Sequence, residues 1–331
     1  MAIIRRVLRV VRSLGVEIYF LGLAPIFRAA ALPSHAIRRL APTFHERYQF
    51  FLIRLLDALV LPWTRHLQSL REASSDLETY WERYDGMDLG LYAVALGDSS
   101  WHRGQRILDL GCGVGRKSFE LARDGAAQVV GVDASRRNVL MARKMAGEQE
   151  NLEFQALDIE SLEGYEAHFD YVISFTVFEH LVDVQGTLTH MHRLIKPGGK
   201  GVIVFNHYDD KYGSHLKEFI SYPWPQMVFA EPLLFRFWNR ELRRAHENGE
   251  MGYFPRDYQH GLDGHNRDCF MNLNRLTVDG FRALIPGSGF LLVNEDHYSR
   301  SPLLMWLPRL ERTRVGPYLI GSVTYVLRKS S

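Results

Sequence analysis

Residues 107–116 decide the fold, and they read Ile-Leu-Asp-Leu-Gly-Cys-Gly-Val-Gly-Arg. An apolar run ends at Asp109, a loop with glycines at 111, 113 and 115 follows, and residues 117–124 have the pattern of a helix start. Strand, glycine-rich turn and helix in this order are typical of a nucleotide site at the strand ends of an open α/β sheet. Glycine has no Cβ, so such a loop can adopt positive φ and let a ligand approach its backbone.

The spacing of these glycines separates two classes of ligand. A dinucleotide fingerprint is Gly-x-Gly-x-x-Gly, which would place its third glycine at 116, where this chain has Arg116. The third glycine is at 115 instead, and Asp109 stands two residues before the first. A carboxylate at this place would repel a pyrophosphate, whereas it would attract a ligand that carries an ammonium and a sulfonium group.

The stretch resembles the first motif of the class I S-adenosylmethionine-dependent methyltransferases, a strand that ends in Asp/Glu-x-Gly-x-Gly-x-Gly. Further matches follow in the family's order. A second strand, predicted at 129–132, leads to Asp133, 22 residues after Gly111, where an acid can accept hydrogen bonds from ribose hydroxyls. A third strand, predicted at 154–157, precedes Asp158 and Ile159, which the resemblance places at the adenine amino group and the adenine ring.

The resemblance extends to a fourth strand at 169–175 and a fifth within 194–205. It implies a Rossmann-like α/β sheet, mostly parallel with the last strand antiparallel, and S-adenosyl-L-methionine as the cofactor. The cofactor-binding residues that it implies are Asp109, Gly111, Cys112, Gly113, Gly115, Asp133, Ala134, Asp158, Ile159 and Phe175.

Composition excludes several other classes of protein. The 331 residues are 46% hydrophobic and 24% charged, which is ordinary for a chain that buries a core. A net charge of +2 argues against a general nucleic-acid-binding surface. Two cysteines, Cys112 and Cys269, exclude a disulfide framework and a cysteine-rich metal site. In the glycine loop, Cys112 is interpreted as a small residue that fits rather than as a catalytic thiol.

The N-terminal region differs from the rest in charge, because residues 1–40 hold seven arginines and one acid. The apolar run 18–27 is shorter than the ~20 residues that a spanning helix needs. A second apolar stretch, 48–63, places Phe51, Leu52, Leu55 and Leu59 on one helical face. Two interpretations stay open: a helical cap packed on the sheet, or an interfacial membrane anchor formed by residues 1–63. A cytoplasmic location, at the inner membrane surface in the second case, is predicted.

The predicted domain organisation has two parts. Residues 1–73 form a basic and apolar helical extension, and residues 74–331 form the methyltransferase domain, with 207–275 inserted as a helical substrate lid. Tyr222-Pro223-Trp224-Pro225 breaks the helical pattern of this insertion. After it, a helix is predicted at 277–285 and strands at 290–294 and 319–327.

Two histidines are candidates for the chemistry. Methyl transfer is an in-line displacement in which an enzyme mainly positions its reactants, and an oxygen nucleophile gains from a base near neutral pH. His180 follows the fourth strand and His207 follows the fifth, at the edge of the sheet that faces the cofactor cleft in this fold. Some family members bind a divalent ion through Glu-x-x-Glu-His. Here Thr176 replaces the first acid before Glu179-His180, so no metal site is predicted.

The loop after the fourth strand also bears on the acceptor. Relatives that methylate amino groups of DNA and protein often carry Asn/Asp-Pro-Pro-Tyr/Phe there, whereas this chain has Thr176-Val177-Phe178-Glu179. We therefore expect a small, apolar or lipid-linked acceptor, with O-methylation favoured. The alternative is a non-catalytic, S-adenosylmethionine-binding subunit of a membrane-associated assembly. Aminopropyl transfer is a third option, disfavoured because Asp109 is expected to meet the amino-acid end of the cofactor.

Overall fold

The computed structural model describes residues 26, 46–59, 81, 87–214, 216, 219–248, 273–299, 307, 309, 313 and 316–330. The chain divides into two compact units. The sheet domain comprises the described residues of 77–207, 272–298 and 322–331, and the helical unit comprises those of 1–76, 208–271 and 299–321. The predicted apolar run 18–27 lies outside the described residues except for Ile26, and the insertion between 249 and 272 lies outside them altogether.

The sheet domain contains a seven-stranded sheet with the order β3-β2-β1-β4-β5-β7-β6. Strands β1 to β5 pair in parallel, and β7 is antiparallel to both β5 and β6. This arrangement confirms the predicted fold class. The strands are β1 (Arg106–Leu110), β2 (Gln128–Asp133), β3 (Leu152–Ala156), β4 (Phe169–Phe175), β5 (Ile195–Asn206), β6 (Phe290–Tyr298) and β7 (Ser322–Lys329).

Helices connect most of these strands and form much of the described part of the helical unit. Three helices of the sheet domain begin at side-chain caps, because Ser135, Asp183 and Thr277 each accept a hydrogen bond from the backbone N–H three residues later. In chain order the helices of the described residues are α1 (46–59), α2 (Met87–Leu96), α3 (Arg116–Arg123), α4 (Arg136–Ala146), α5 (Val184–Leu194), α6 (Pro225–Val228), α7 (Glu231–Glu247), α8 (Val278–Leu284) and α9 (Gly316–Leu319).

The central strands are buried on both faces. Consecutive residues of β1, such as Ile107 and Leu108, are both fully buried, and Val129 and Val130 of β2 are buried in the same way. Continuous apolar runs of this kind are what parallel sheets covered by helices on both sides require. Glycines and charged residues at the carboxyl ends of the strands interrupt this apolar pattern, and they are therefore the candidates for binding a ligand.

The observed ends of several strands differ from the prediction. Strand β2 extends one residue further at each end than 129–132, and β6 continues to Tyr298 rather than ending at 294. Strand β3 begins at Leu152 and ends at Ala156, because its pairing with β2 runs from Val129 to Asp133. Leu157, predicted to belong to the strand, instead donates its N–H to the Asp133 carbonyl over 3.2 Å. The last strand begins at Ser322 rather than at 319, because residues 316–319 form α9.

The helical unit has a core of its own, although its parts lie far apart in sequence. Helix α1 buries Phe50, Ile53 and Leu56 among the apolar side chains of residues 216–238. The Phe50 and Phe237 rings meet edge to face, with centroids 5.4 Å apart. The cluster is completed by Leu52, Leu216, Ile220, Tyr222, Trp224, Val228, Phe229, Leu233, Leu234 and Trp238. The extension and the insertion therefore fold together where they are described, while the predicted domain boundaries stay a prediction.

The predicted break before Pro225 is confirmed, and Trp224 shows how it is held. Its φ is 51°, in the left-handed region, and α6 begins at the next residue. Such a conformation is uncommon for a bulky residue and persists where the surroundings fix it. The Trp224 N–H donates to the Lys211 carbonyl over 2.8 Å, and its indole N–H donates to the Asp209 carbonyl over 3.3 Å. Within the part of the chain that is described, no helix combines the length and apolarity needed to cross a membrane.

Candidate active site

The three loop glycines after β1 all have positive φ but serve different purposes. Their φ values are 73° at Gly111, 55° at Gly113 and 79° at Gly115. A Cβ at Gly111 would lie 2.2 Å from Val177 Cγ2, and one at Gly115 would lie 2.6 Å from Phe154, so both glycines are required by packing. A Cβ at Gly113 would meet no protein atom within 4 Å. The backbone at Gly113 therefore borders open space that a ligand can approach.

Asp133 connects this loop to the end of β2. Its Oδ2 accepts the Gly113 N–H over 2.8 Å, and its Oδ1 accepts the Ser135 N–H over 2.9 Å and the Asn138 side-chain amide over 3.2 Å. A carboxylate offers about four acceptor positions, and these three bonds use three of them. The remaining position suits a hydroxyl donor, so the predicted contact with a ribose is compatible with this geometry.

Asp109 lies at the same edge but is fully buried, with both carboxylate oxygens engaged. The Lys117 ammonium is 3.0 Å from its Oδ1, and the Ser118 hydroxyl donates to its Oδ2 over 2.6 Å. These contacts join the end of β1 to the first turn of α3. Asp109 therefore fixes the geometry of the glycine loop, and its predicted direct contact with the cofactor stays a prediction.

Lys117 is a buried cation that sequence analysis missed. Its side chain is 7% exposed, and its Nζ lies 5.8 Å from the centroid of the Tyr92 ring and 5.7 Å from that of Phe175. Aromatic faces attract cations at such distances. A lysine in the first turn of a helix usually extends into solvent, so the sequence contains no signal for this burial. Phe175, a predicted cofactor residue at the end of β4, is half-buried beside it.

The residues predicted to surround the adenine lie on the next two loops. Ala134 is exposed after β2, and Asp158 is exposed after β3, where Ile159 is buried and begins a short 3-10 helix. The bond from the Leu157 N–H to the Asp133 carbonyl joins these two loops. An exposed carboxylate beside an apolar residue fits an adenine amino group and ring. No contact to a ligand is observed, so these roles stay predictions.

Cys112 lies inside the glycine loop and is buried. Burial, together with the nearby carboxylates of Asp109 and Asp133, raises the pKa of its thiol well above the ordinary value. A thiol with a raised pKa is a poor nucleophile at neutral pH because its thiolate population is small. This environment agrees with the interpretation of Cys112 as a packing residue.

The turn after β4 carries Glu179 and His180 in a short 3-10 helix, Phe178–His180. Glu179 is buried, and burial raises the pKa of its carboxyl to about 8. Its Oε1 accepts the Asn206 N–H over 3.4 Å, which connects the ends of β4 and β5. Burial also lowers the pKa of His180 to about 4. Near pH 7 the pair therefore consists of a mostly protonated acid and a neutral imidazole.

Asn274 holds this turn in place, and sequence analysis did not identify it. Its side-chain amide donates to the carbonyl oxygens of Phe178 and Leu181 over 2.7 and 3.0 Å. Its backbone N–H donates to the Glu179 carbonyl over 3.0 Å. Three bonds from one residue thus span the turn that carries His180. No motif marks an asparagine almost 100 residues downstream, so only the fold could reveal this contact.

His207 follows β5 and is fully buried, whereas His180 is only partly buried. The structure thus brings both predicted histidines to the carboxyl ends of neighbouring strands in different environments. Among the residues that the structure describes, no group of three or more His, Cys, Asp or Glu side chains could hold a metal ion. The prediction of no metal site stays a prediction.

Comparison with known proteins agrees with this geometry. Residues 101–228 match the model of a methyltransferase domain. A ubiquinone biosynthesis O-methyltransferase from Sinorhizobium fredii is 40% identical over 98 residues, which are 29% of this chain and 39% of that protein. The enzyme of the same name from Coxiella burnetii is 39% identical over 99 residues, 30% of this chain and 42% of that protein. The chain thus spans about two fifths of the length of these relatives.

The matched segment contains β1 to β5 and the glycine loop. This segment is therefore similar to a methyltransferase domain, in agreement with the class I S-adenosylmethionine-dependent methyltransferase motifs of the sequence. Among solved structures, an S-adenosylmethionine-dependent methyltransferase from Mesorhizobium loti is 18% identical, with a TM-score of 0.43 over 69% of this chain and 92% of that chain. A likeness at that level adds nothing about ligand or activity.

Proposed function

We propose that this protein is a methyltransferase that uses S-adenosyl-L-methionine to O-methylate a small, apolar or lipid-linked acceptor. The observation that carries the proposal is the backbone at Gly113, which has positive φ, borders open space and donates to Asp133. A glycine loop of this shape, between two strand-end acids, fits a nucleoside with a cationic tail. The family of the sheet domain supplies the type of reaction.

The residues present fit such a cofactor in chemical character. Asp133 would accept a hydrogen bond from a ribose hydroxyl, Asp158 would accept one from the adenine amino group, and Ile159 would pack on the adenine ring. When bound, the cofactor supplies a methyl group already activated by a sulfonium. The chain's own task is then to hold the acceptor in line and to remove its proton.

His180 is the residue that we assign to proton removal. It follows β4 at the carboxyl end of the strand and is only partly buried, so an acceptor can reach it. With the cofactor bound, the acceptor oxygen would take the methyl group, the electron pair of the carbon–sulfur bond would stay on sulfur, and the imidazole of His180 would take the hydroxyl proton. Fully buried His207 has less access to an acceptor, and we assign it a supporting role.

The nature of the acceptor rests on the relatives' names. Both are named O-methyltransferases of ubiquinone biosynthesis, so a hydroxyl on a lipid-linked molecule is the acceptor class that we propose for this chain. The turn Thr176–Glu179 lacks the proline-rich pattern of enzymes that methylate amino groups of DNA and protein, which supports a small-molecule or lipid-linked acceptor. A cytoplasmic location at the inner membrane surface is part of the same proposal.

Cofactor binding is tested by calorimetry on wild-type protein and the Gly113→Val variant. Valine would occupy the open space beside the loop, so S-adenosylmethionine affinity should fall at least about tenfold, which is ~1.4 kcal/mol. Gly104→Val is the matched control, because Gly104 also has positive φ with no atom within 4 Å of a Cβ but precedes β1. Equal affinity of folded Gly113→Val and wild type would contradict the proposed site.

Transfer is tested with cofactor labelled in its methyl group and a bacterial lipid extract as the source of acceptors. Label should enter the lipid phase with wild-type protein, and the rate should fall about 100-fold or more in His180→Ala, the usual range for loss of an acid–base group. His207→Ala should retain more activity than His180→Ala. Tight cofactor binding without transfer to any extract would contradict the enzyme and favour a non-catalytic binding subunit.

A further inference from the structure

Helix α1 has two apolar faces, and only one of them is covered. Phe50, Ile53 and Leu56 are buried in the core of the helical unit. On the other side, Tyr48, Phe51, Leu55 and Leu59 are 38%, 58%, 38% and 39% exposed. At 100° per residue these four side chains fall within an arc of about 80°. They form one continuous strip, called here the exposed stripe.

Contacts made by other residues of α1 fix the orientation of the exposed stripe. The Asp57 carboxylate accepts the Ser221 N–H over 2.6 Å and the Ser221 hydroxyl over 2.7 Å. The Arg236 guanidinium donates to Glu46 over 2.7 Å at the start of the same helix. With a buried face and these polar contacts on the rest of the unit, α1 cannot turn its stripe inward without losing them. The stripe is a permanent surface of the folded unit.

The charge beside the stripe is positive. Arg47 and Arg54 lie along one edge of it and are exposed, and Arg54 is paired with Glu241 over 2.6 Å. The two acids of α1, Glu46 and Asp57, are engaged by Arg236 and Ser221. The preceding residues 1–40 add seven arginines and one acid. An apolar strip bordered on one edge by arginines, on a helix whose described residues are too few and too polar to span a bilayer, is the pattern of an interfacial helix.

We propose that the exposed stripe docks the protein on an anionic phospholipid surface, with its aromatic and leucine side chains at the acyl boundary and the arginines at the headgroups. A second copy of the chain fits less well. The 14 described residues of α1 span about 21 Å. A strip of this length and about 10 Å width covers roughly 210 Å², against about 800 Å² per partner in a stable interface. Two copies would also bring their arginines together.

Sedimentation of the full-length protein with vesicles tests the docking. One set of vesicles contains phosphatidylcholine alone, and the other contains phosphatidylcholine with phosphatidylglycerol. Wild-type protein should bind the second set, and the bound fraction should fall as salt rises because the attraction is screened beyond a Debye length. Phe51→Glu and Leu55→Glu should each weaken partitioning by about tenfold or more, since a carboxylate would enter the acyl boundary.

Leu140→Glu is the matched control. Leu140 is 55% exposed on α4 of the sheet domain, which is close to the exposure of Phe51. This variant should bind vesicles like wild type. Circular dichroism and urea denaturation verify that every variant is folded. The vesicle assay itself contains neither cofactor nor acceptor, so its outcome is independent of methyl transfer.

Three results would overturn the docking proposal. Wild-type protein could fail to sediment with anionic vesicles at low salt, or the stripe variants could bind them as tightly as Leu140→Glu. Finally, light scattering could show a wild-type dimer that Phe51→Glu dissociates, without any vesicle binding. That result would assign the stripe to a second copy of the chain.

Discussion

The two units of this protein differ in the sequence separation of their contacting elements and in the residue types that are informative. The sheet domain is built from strands and helices that follow one another along the chain, and its informative residues are glycines and charges at strand ends. The helical unit joins α1 to residues more than 150 positions away, and its informative residues are apolar and aromatic. The first unit concentrates polar groups that can bind a ligand, whereas the second combines a buried apolar core with an apolar surface.

The largest effect is expected in the sheet domain, at the buried pair of Lys117 and Asp109. Lys117→Met removes the cation and leaves a fully buried carboxylate, so the free energy of unfolding should fall by about 3–5 kcal/mol. Urea denaturation measures this loss. Adding Asp109→Leu to the same variant should recover part of it, because no charge then remains buried. A loss below ~1 kcal/mol in Lys117→Met would show that the pair is not a structural centre of the domain.

The core of the helical unit should be nearly as sensitive, but without effect on the cofactor. Leu56 is fully buried, so Leu56→Ala should lower the free energy of unfolding by about 2–5 kcal/mol. Its neighbour Leu55 is on the exposed stripe, and Leu55→Ala should change stability by no more than ~0.5 kcal/mol. Calorimetry should show wild-type S-adenosylmethionine affinity in both variants. Weaker cofactor binding in Leu56→Ala would contradict the separation of roles between the two units.

A smaller effect is expected at Asn274, and it should fall on catalysis. Asn274→Ala removes two hydrogen bonds to the turn that carries His180, which amounts to ~1–3 kcal/mol. We expect kcat to fall by roughly tenfold while the dissociation constant of S-adenosylmethionine is unchanged, because the side-chain amide of Asn274 donates to the turn that carries His180 and not to the glycine loop. Asn294→Ala, which removes side-chain bonds to Ala95 and Asp296 instead, is the control. Equal kcat in the two variants would remove the positioning role.

The smallest effect is a slope in stability against pH. The pKa of Glu179 is raised to about 8 in the folded chain, so between its ordinary value and pH 8 the unfolded chain loses the proton first, and stability falls as pH rises. The pKa of His180 is lowered to about 4 in the folded chain. Its contribution to stability therefore rises with pH up to the ordinary pKa of histidine, near 6.5. Below pH 6.5 the contributions of the two groups to the free energy of unfolding change in opposite directions with pH. Between pH 6.5 and 8, only the contribution of Glu179 still changes.

Urea midpoints at pH 6.5 and pH 8 measure this slope. Wild-type protein should lose up to ~1.4 kcal/mol per pH unit more than Glu179→Gln in this window. Glu148→Gln, which changes an exposed carboxylate after α4, should retain the wild-type slope. Parallel curves for wild type and Glu179→Gln would contradict the burial-raised pKa.

Much of the sheet domain was predictable, because its signals are local. The glycines at 111, 113 and 115 and the acid at 133 indicate a strand–turn–helix unit. Their order along the chain predicted the fold class. Strand ends were less certain: the predicted β3 began two residues too late and ended one residue too late, because an apolar run does not show where the pairing with β2 starts and stops. Lys117 and Asn274 were missed, since neither residue type nor spacing indicates that its partners are a buried acid and a distant turn.

The Rossmann-like α/β sheet, the glycine loop and the apolar pattern of α1 were predictable from the sequence, since each is encoded by residues a few positions apart. Tertiary structure decided which face of α1 is buried. The sequence offered Phe51, Leu52, Leu55 and Leu59 as one apolar face, yet Phe50, Ile53 and Leu56 fill the core and leave Phe51, Leu55 and Leu59 at the surface. Periodicity counts apolar residues along one helix, but burial depends on the partner surface, and that surface is supplied by residues 216–238, far away in the chain.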